Sequence, residues 1–199
     1  MRLFFNQTSP YARKARIAAH ESGLAGTIVF VEVDPWAEPS EFIAVNPLSK
    51  VPALLLDDGR LVTESDTIVQ TLAGLAPQPG LIAPDTAERL ASLARAALCQ
   101  GLIDASFITV IEGRRPEPQR WGSWVERQER AVMRTLSAID GAFDLPAGRF
   151  DIGDIGLAVA LAYLDFRLPH LAWRGAHPRL AAWLDVVAQR PSMLATRPG

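Results

Sequence analysis

The pattern of hydrophobic and polar positions divides the chain into a mixed first part and a helical second part. The first part contains four short apolar runs typical of β-strands, at residues 2–5, 27–32, 53–56 and 61–62. It also contains three patterns typical of helices, at residues 9–21, 40–45 and 65–75. The predicted order is β-α-β-α-β-β-α, in which the first two strands are parallel and the last two form an antiparallel hairpin.

Residues 76–85 separate the two parts. They contain three prolines and one glycine, a composition that favours a linker. Helical patterns follow at residues 85–112 and 119–143, and further helices are predicted to begin near Asp151 and Pro178. We therefore expect an α/β domain, a linker and an all-helical domain, over residues 1–76, 77–84 and 85–199.

The composition excludes several classes of protein. Of the 199 residues, 49% are hydrophobic and 21% are charged, which is typical of a globular chain and not of a disordered one. The net charge of −2 provides no basic field, so nucleic acid is not an expected partner. The single cysteine, Cys99, excludes an internal disulfide, and no Cys/His cluster has the spacing of a metal site.

The most apolar stretch, residues 96–111, is predicted to be a buried helix. Four polar residues interrupt it, whereas a membrane-spanning helix needs roughly 20 mostly apolar residues. The apolar run at the N-terminus is too short for the core of a signal peptide. We therefore expect a cytoplasmic protein without a membrane partner.

Ser9 stands where the first predicted strand ends and the first predicted helix begins. The unpaired N–H groups of a helix start form a positive electrostatic pole that favours an anion. A hydroxyl at this point can donate to a thiolate, and the pole lowers the pKa of a thiol. Taken alone, the segment from Thr8 to Lys14 favours the simpler interpretation that Ser9 only caps the helix.

Two further segments could hold an extended ligand. Val51-Pro52 precedes a strand, and a cis peptide bond there would direct the Val51 backbone toward a ligand that pairs like an added strand. Glu64-Ser65 begins another helix, where an acid and a hydroxyl can receive the ammonium and carboxylate groups of an amino acid. Taken alone, each has a simpler interpretation, an ordinary proline-containing loop and an ordinary helix cap.

The three segments together resemble a known family. A Ser-Pro at a strand–helix junction, an Asn-Pro-x-x-Lys-Val-Pro from Asn46 to Pro52 and the pair Glu64-Ser65 follow one another within 65 residues. This combination resembles the thioredoxin-like N-terminal domain of the glutathione S-transferase superfamily. The helical remainder resembles that family's C-terminal domain. The stretch Ser-Pro-Tyr-Ala-Arg-Lys is most similar to the bacterial serine-type members.

Residues 150–155 add to the resemblance. They are similar to the family's buried capping box and hydrophobic staple, with Asp151 as the N-cap, Asp154 as its partner and Phe150 against Ile155. The family usually has Ser or Thr where Asp151 stands, so this position departs from the family pattern.

The resemblance implies a catalytic role for Ser9, whose hydroxyl would donate to the glutathione sulfur and favour the thiolate. Thr8 and Asn6 also lie at the end of the strand, and either could be the donor instead. Ser9 occupies the position of the cysteine in the thiol-transferase members, which disfavours disulfide exchange through an enzyme thiol. Cys99 is expected to be a small core residue of the helical domain.

The resemblance also implies how the rest of glutathione would be bound. The Val51 backbone would pair with the cysteinyl part, with Pro52 in the cis form. Lys50 would lie near the glycyl carboxylate. Glu64 and Ser65 would hold the γ-glutamyl end.

The implied function is that of a glutathione transferase of the detoxification type, with glutathione as co-substrate, no metal and a homodimeric assembly. Its thiolate would attack a small electrophile bound between the domains. Candidates for the electrophile pocket are Tyr11, Phe107, Ile108, Arg114, Trp121 and Trp124. The simpler interpretation of these candidates is core or surface packing, and that of Arg114-Arg115 is a solvated loop, although this pair could attract acidic substrates.

Two other functions are compatible with the sequence. One is a glutathione-dependent peroxidase or reductase that uses no enzyme thiol. The other is a non-catalytic binding or regulatory protein that has kept the fold.

Overall fold

The computed structural model describes residues 1–77, 80–145, 148 and 150–198. Its first part contains one sheet of four strands, β1 (Arg2–Phe5), β2 (Val29–Glu32), β3 (Ala53–Leu55) and β4 (Leu61–Thr63). The strand order is β2-β1-β3-β4, with β1 and β2 parallel and β3 antiparallel to both β1 and β4. The predicted parallel pair and the predicted hairpin are both confirmed.

Three helices cover the sheet, α1 (Pro10–Glu21), α2 (Ser40–Val45) and α3 (Ser65–Leu75). Leu3 and Leu54 belong to the core cluster that includes residues of α1 and α3. The neighbouring Phe4 points to the other face, where its ring lies 5.3 Å from that of Phe42 in α2. The alternation of side chains along β1 therefore supplies both layers, and the predicted thioredoxin-like order is confirmed.

The second strand begins later than predicted. Residues Ala25–Thr27 form a 3-10 turn, in which the Thr27 N–H and hydroxyl both donate to the Leu24 carbonyl, at 2.9 and 2.8 Å. These local bonds occupy Thr27, so pairing with β1 begins at Val29.

The helical part contains six α-helices within the described residues: α4 (Thr86–Gly113), α5 (Gly122–Ala142), α6 (Ile152–Arg167), α7 (Trp173–Ala176), α8 (Pro178–Val187) and α9 (Pro191–Ala195). The start predicted at residue 119 is corrected to Gly122. Residues Glu117–Gln119 instead form a 3-10 turn, and the Glu112 carboxylate accepts the Trp121 N–H at 3.0 Å just before α5 begins. Residues 78–79 of the predicted linker lie outside the described residues, and the domain boundaries stay a prediction.

Two glycines of α6 allow a close approach to α4. A Cβ atom on Gly153 would lie 2.6 Å from Arg95 Nε, and one on Gly156 would lie 3.1 Å from Cys99 Cβ. The contacts advance in the same direction along both helices. The two helices therefore run side by side in parallel, and their C-terminal ends lie at the same end of the bundle.

Helix α4 is long and apolar enough to cross a membrane, judged by length and composition. The bent pair formed by α6 and residues Pro169–Ala176 passes the same criterion. Buried helices of globular proteins also pass it, and α4 packs against α5 and α6 in the core.

Helix α1 joins the two parts of the chain. It packs against α3, α6 and α9, and one core cluster continues from Leu3 of the sheet to Leu161 of α6. Its buried Arg13 and Arg16 side chains donate to backbone carbonyls of α9, at 3.2 and 3.3 Å. The start of α1 is therefore held from both parts.

The predicted capping box of α6 is confirmed. Asp151 accepts the N–H groups of Gly153 and Asp154, and Asp154 accepts the Asp151 N–H at 3.0 Å. The Arg95 side chain of α4 donates to both Asp151 oxygens, at 2.9 and 2.7 Å. Burial opposes the Asp151 charge, but bonds from Arg95 and the Asp154 N–H hold the pKa of that carboxyl below its usual value. Arg95 thus offsets the charge that distinguishes Asp151 from the usual Ser or Thr.

We expect Arg95→Met and Asp151→Ser each to lower the free energy of unfolding by about 3–5 kcal/mol, because each leaves buried charge without a principal partner. The double variant removes the pair together and should lose clearly less than the sum of the two. Urea unfolding of the four proteins measures this coupling. Strictly additive losses would show that the Arg95–Asp151 pair does not offset the charge.

Candidate functional site

A cavity of about 600 Å³ opens where the start of α1, the start of α3 and the loop before β3 face α4 and α6. It is lined by all six residues to which the sequence analysis assigned glutathione binding: Ser9, Lys50, Val51, Pro52, Glu64 and Ser65. Three of the electrophile-pocket candidates also line it: Tyr11, Phe107 and Arg114. The cavity therefore brings together residues from both parts of the chain.

Ser9 caps α1 and presents its hydroxyl to the cavity. Its Oγ accepts the Ala12 N–H at 3.2 Å, and the described residues provide no acceptor for its proton. Thr8 differs, because its hydroxyl donates to Asn6 Oδ1 at 2.9 Å, while Asn6 Nδ2 donates to the Val33 carbonyl at 3.3 Å. The sequence left Ser9, Thr8 and Asn6 open as the donor to the sulfur. Of these, Ser9 is therefore the residue whose side-chain proton is not already donated to another described residue.

The loop before β3 is organised by Asn46, which is buried. Its side chain donates to the Lys50 carbonyl at 2.8 Å and accepts the Leu48 N–H at 3.2 Å. The Val51-Pro52 bond that follows is cis. This arrangement places the Val51 backbone and the exposed Lys50 side chain at the cavity wall.

Glu64 and Ser65 form the start of α3. Glu64 has a φ of 66°, in the left-handed region that a non-glycine residue rarely adopts, and this backbone strain lies at the cavity wall. Ser65 is 2% exposed. No side chain caps the start of α3, so its unpaired N–H groups are available to a carboxylate at this end of the cavity.

A polar network joins α1, α3 and α4 beneath this end of the cavity. Lys14, which is 1% exposed, pairs with Asp66 of α3 and donates to Gln100 Oε1 of α4 at 2.6 Å. Gln100 Nε2 donates to Asp104 Oδ1 at 2.9 Å, and the Tyr11 hydroxyl donates to the same oxygen at 2.7 Å. The network fixes the positions of the helices that carry the site, and it leaves Tyr11 with its proton committed to Asp104.

Gln100 and Asp104 were not assigned to the site from the sequence. They are two of the polar residues that interrupt the apolar stretch of α4, and they share a helix face with Phe107 and Arg114. The sequence signal that could have identified Gln100 and Asp104 was their helical spacing within an otherwise apolar helix.

Three candidates for the electrophile pocket lie outside this cavity: Ile108, Trp121 and Trp124. Ile108 is next to Phe107, and one residue along a helix turns the side chain by about 100°. Trp121 precedes α5, is 63% exposed and stacks on Trp124 with ring centroids 5.5 Å apart. The apolar pattern identified helices but not which face borders the cavity.

The cavity wall also contains three residues that sequence reasoning missed: Trp36, Tyr163 and Arg167. The guanidinium of Arg114 lies over the Trp36 ring, 6.0 Å from its centroid. Arg115 takes no part in the cavity, because its side chain pairs with Glu112 at 2.9 Å. Of the predicted arginine pair, Arg114 therefore lines the cavity, whereas Arg115 pairs with Glu112 outside it.

Cys99 is fully buried and does not line the cavity, which confirms its assignment to the core. Burial raises the pKa of its thiol to about 12. Across the part of the chain that the structure describes, no group of three or more His, Cys, Asp and Glu side chains could hold a metal ion.

Comparison with known proteins agrees with this arrangement. Residues 8–75 match the family "Glutathione S-transferase, N-terminal domain", and residues 122–185 match "Glutathione S-transferase, C-terminal domain". The chain is 28% identical over 201 residues to an uncharacterized glutathione S-transferase-like protein, YibF, of Escherichia coli K12, covering 100% of this chain and 98% of that protein.

Two solved structures are also similar. A glutathione transferase family member from Pseudomonas fluorescens Pf-5 with bound glutathione is 39% identical with a TM-score of 0.94, over 100% of this chain and 98% of that chain. A glutathione S-transferase from Methylobacterium radiotolerans in complex with glutathione sulfonate is 38% identical with a TM-score of 0.90, over 99% and 94%. The chain belongs to the glutathione S-transferase superfamily and has both of its domains.

The two tyrosines of the chain provide a test of the site's electrostatics. Burial and the bond to Asp104 raise the pKa of Tyr11 above its usual value, and burial raises the pKa of Tyr163. We expect ultraviolet titration of the folded protein to show little tyrosinate at pH values near the usual phenol pKa of about 10. Because the folded pKa values are raised, their contribution to stability is fully present below that pH and is lost as the pH rises above it.

Asp104→Asn should shift the Tyr11 transition back toward the usual phenol pKa and leave that of Tyr163 in place. If half of the wild-type tyrosine absorbance changed with an ordinary phenol pKa, the contact between Tyr11 and Asp104 would be incorrect.

Proposed function

We propose that this protein is a glutathione transferase in which the Ser9 hydroxyl donates to the glutathione sulfur and stabilises its thiolate. The observation that carries the proposal is the position of Ser9. Its oxygen caps α1, its proton has no acceptor among the described residues, and it faces the cavity. Related proteins that hold glutathione or glutathione sulfonate support the choice of ligand.

In this proposal glutathione lies along the cavity wall formed by the start of α3, the loop before β3 and the start of α1. Its γ-glutamyl carboxylate lies at the start of α3 near Ser65, and its ammonium lies toward Glu64 and Asp104. Its cysteinyl backbone pairs with Val51, and its glycyl carboxylate lies toward Lys50. This orientation brings the sulfur to Ser9.

The energy required of Ser9 and the start of α1 is modest. A free thiol has a pKa of about 8.5, and lowering it by two units corresponds to about 2.7 kcal/mol. A hydrogen bond to a charged group contributes about 1.5–3 kcal/mol, and a helix N-terminus adds about 0.3–1 kcal/mol. No general base is required.

The reaction that follows is nucleophilic attack by sulfur on an electrophile bound between α4 and α6. A sulfur–carbon bond forms, the leaving group departs with its electron pair or a π bond opens, and the thiol proton passes to solvent. Disulfide exchange through an enzyme thiol is not supported, since Cys99 is buried outside the cavity and its pKa is raised.

We expect Ser9→Ala to lower turnover about 10- to 100-fold while changing glutathione affinity little, because it removes a bond made to the charged sulfur. The lost cap should also cost about 1 kcal/mol of stability, so unfolding is measured in parallel. Turnover with an aryl halide and calorimetry with glutathione provide the two readouts.

Two matched variants test whether the hydroxyl itself matters. Ser9→Thr keeps both the cap and the donor and should retain most of the turnover. Thr8→Val removes a neighbouring hydroxyl whose proton is already donated to Asn6, and it should leave turnover nearly unchanged. Wild-type turnover in Ser9→Ala, or its loss in Thr8→Val instead, would move the role to another group.

The homodimer implied by the resemblance also stays a proposal. The exposed surface of α4 includes the apolar side chains of Leu90 and Leu98, which supports association with a second copy.

A further inference from the structure

Helix α4 orders opposite charges along the cavity. Asp104 lies at the end where the polar network joins α1 and α3, whereas Arg114 caps the C-terminal end of the helix. Ten residues separate them, a distance of about 15 Å along the helix axis. The cavity therefore has an acidic end suited to an ammonium group and a basic end whose ligand the proposed glutathione pose leaves unassigned.

Helix α6 contributes a second cation and a phenol to the cavity wall. Tyr163 and Arg167 are four residues apart and share one face of the helix, and both line the cavity. Because α4 and α6 run in parallel, Arg167 ends its helix at the same end of the bundle as Arg114. The charges of both arginines act on Tyr163 and oppose the effect of its burial on the phenol pKa.

Within the residues that the structure describes, the side-chain donors of Arg114, Arg167 and Tyr163 have no hydrogen-bond acceptor. Tyr163 is 5% exposed, and its hydroxyl makes no hydrogen bond to any residue that the structure describes. Neither Arg114 nor Arg167 forms an ion pair within the same residues, although Arg115, one position along, pairs with Glu112. Two guanidinium groups and a buried phenol offer hydrogen-bond donors and positive charge, which is the arrangement that a carboxylate fits.

We propose that the electrophile used by this protein carries a carboxylate, which binds between Arg114 and Arg167 and accepts a hydrogen bond from Tyr163. The inference rests on the proposed function, since it names the substrate class of the same cavity. The glutathione sulfur at Ser9 attacks the reactive carbon of the bound acid. With an aryl halide acid, the sulfur–carbon bond forms, the carbon–chlorine bond breaks, chloride leaves with the electron pair and the thiol proton goes to water.

The test compares an acid with its neutral counterpart. The substrates are a chlorodinitrobenzoate and the corresponding chlorodinitrobenzamide, and each enzymatic kcat/KM is divided by the uncatalysed rate with glutathione. We expect the wild-type protein to favour the acid by about tenfold or more, which corresponds to one charge-assisted hydrogen bond. The preference should fall as salt is added, because the interaction is between charges.

The variants assign the preference to residues. Arg114→Ala, Arg167→Ala and Tyr163→Phe should each lower kcat/KM for the acid more than kcat/KM for the amide and so reduce the acid-over-amide ratio, and the double arginine variant should bring the ratio close to one. Arg115→Ala removes the same charge one residue away, outside the cavity, and should keep the wild-type ratio. A wild-type ratio near one, or ratios unchanged in all three cavity variants, would overturn the inference.

The glycyl carboxylate of glutathione is the other source of a carboxylate near these arginines. If Arg114 or Arg167 bound it, the alanine variant would raise the KM for glutathione but not for γ-glutamylcysteine, and the acid-over-amide ratio would stay unchanged. That result would overturn the inference for the residue concerned.

A binding experiment distinguishes a failure of this inference from a failure of the proposed function. Calorimetry compares the two product thioethers, one with a carboxylate and one with a carboxamide. Tighter binding of the acid thioether, lost in the double arginine variant, supports the carboxylate site even if neither substrate is turned over, in which case the proposed function alone fails. Equal affinity for the two thioethers contradicts the carboxylate site even if both substrates are conjugated.

Discussion

The proton of the Ser9 hydroxyl is the feature on which the proposed chemistry depends. The oxygen accepts a backbone N–H at the start of α1, so the side chain is held in place while its proton stays available to the cavity. Neighbouring hydroxyl groups are already engaged, that of Thr8 with Asn6 and that of Tyr11, in the first turn of α1, with Asp104. A hydroxyl that is fixed but not consumed can stabilise a thiolate without reorganisation when the sulfur arrives.

The rest of the molecule holds the start of α1 in this position. The helix packs on the sheet side against α3 and on the helical side against α6 and α9. The buried Lys14 connects it to Asp66 and Gln100, so that the two walls of the cavity share one polar network. The same α4 that provides Gln100 ends at Arg114, and the cavity consequently has an acidic and a basic end.

The sequence was most informative where function depends on local backbone structure. Helix starts and proline-containing loops have short signals, and the resemblance of their combination to the glutathione S-transferase superfamily assigned Ser9, the Val51-Pro52 step and Glu64-Ser65 to one site. The late start of β2 shows the limit even for local structure, because the hydrogen bonds of Thr27 to the preceding turn compete with strand pairing.

Sequence reasoning was weaker where the site depends on how helices pack. Tyr163 and Arg167 line the cavity from α6, which two glycines allow to approach α4 closely. Apolar spacing along α4 and α5 could not show that Ile108 and Trp121 face away from the cavity. The role of Arg95 was also missed, because Arg95 pairs with the buried carboxylate of Asp151 at the start of another helix.

The most direct measurement of the central claim is the pKa of the glutathione thiol in the binary complex, followed through the ultraviolet absorbance of the thiolate. We expect a value about two units below the free thiol pKa of about 8.5, with much of the shift lost in Ser9→Ala. An unshifted pKa in the wild-type complex, or an equal shift in Ser9→Ala, would contradict the assignment of thiolate stabilisation to Ser9.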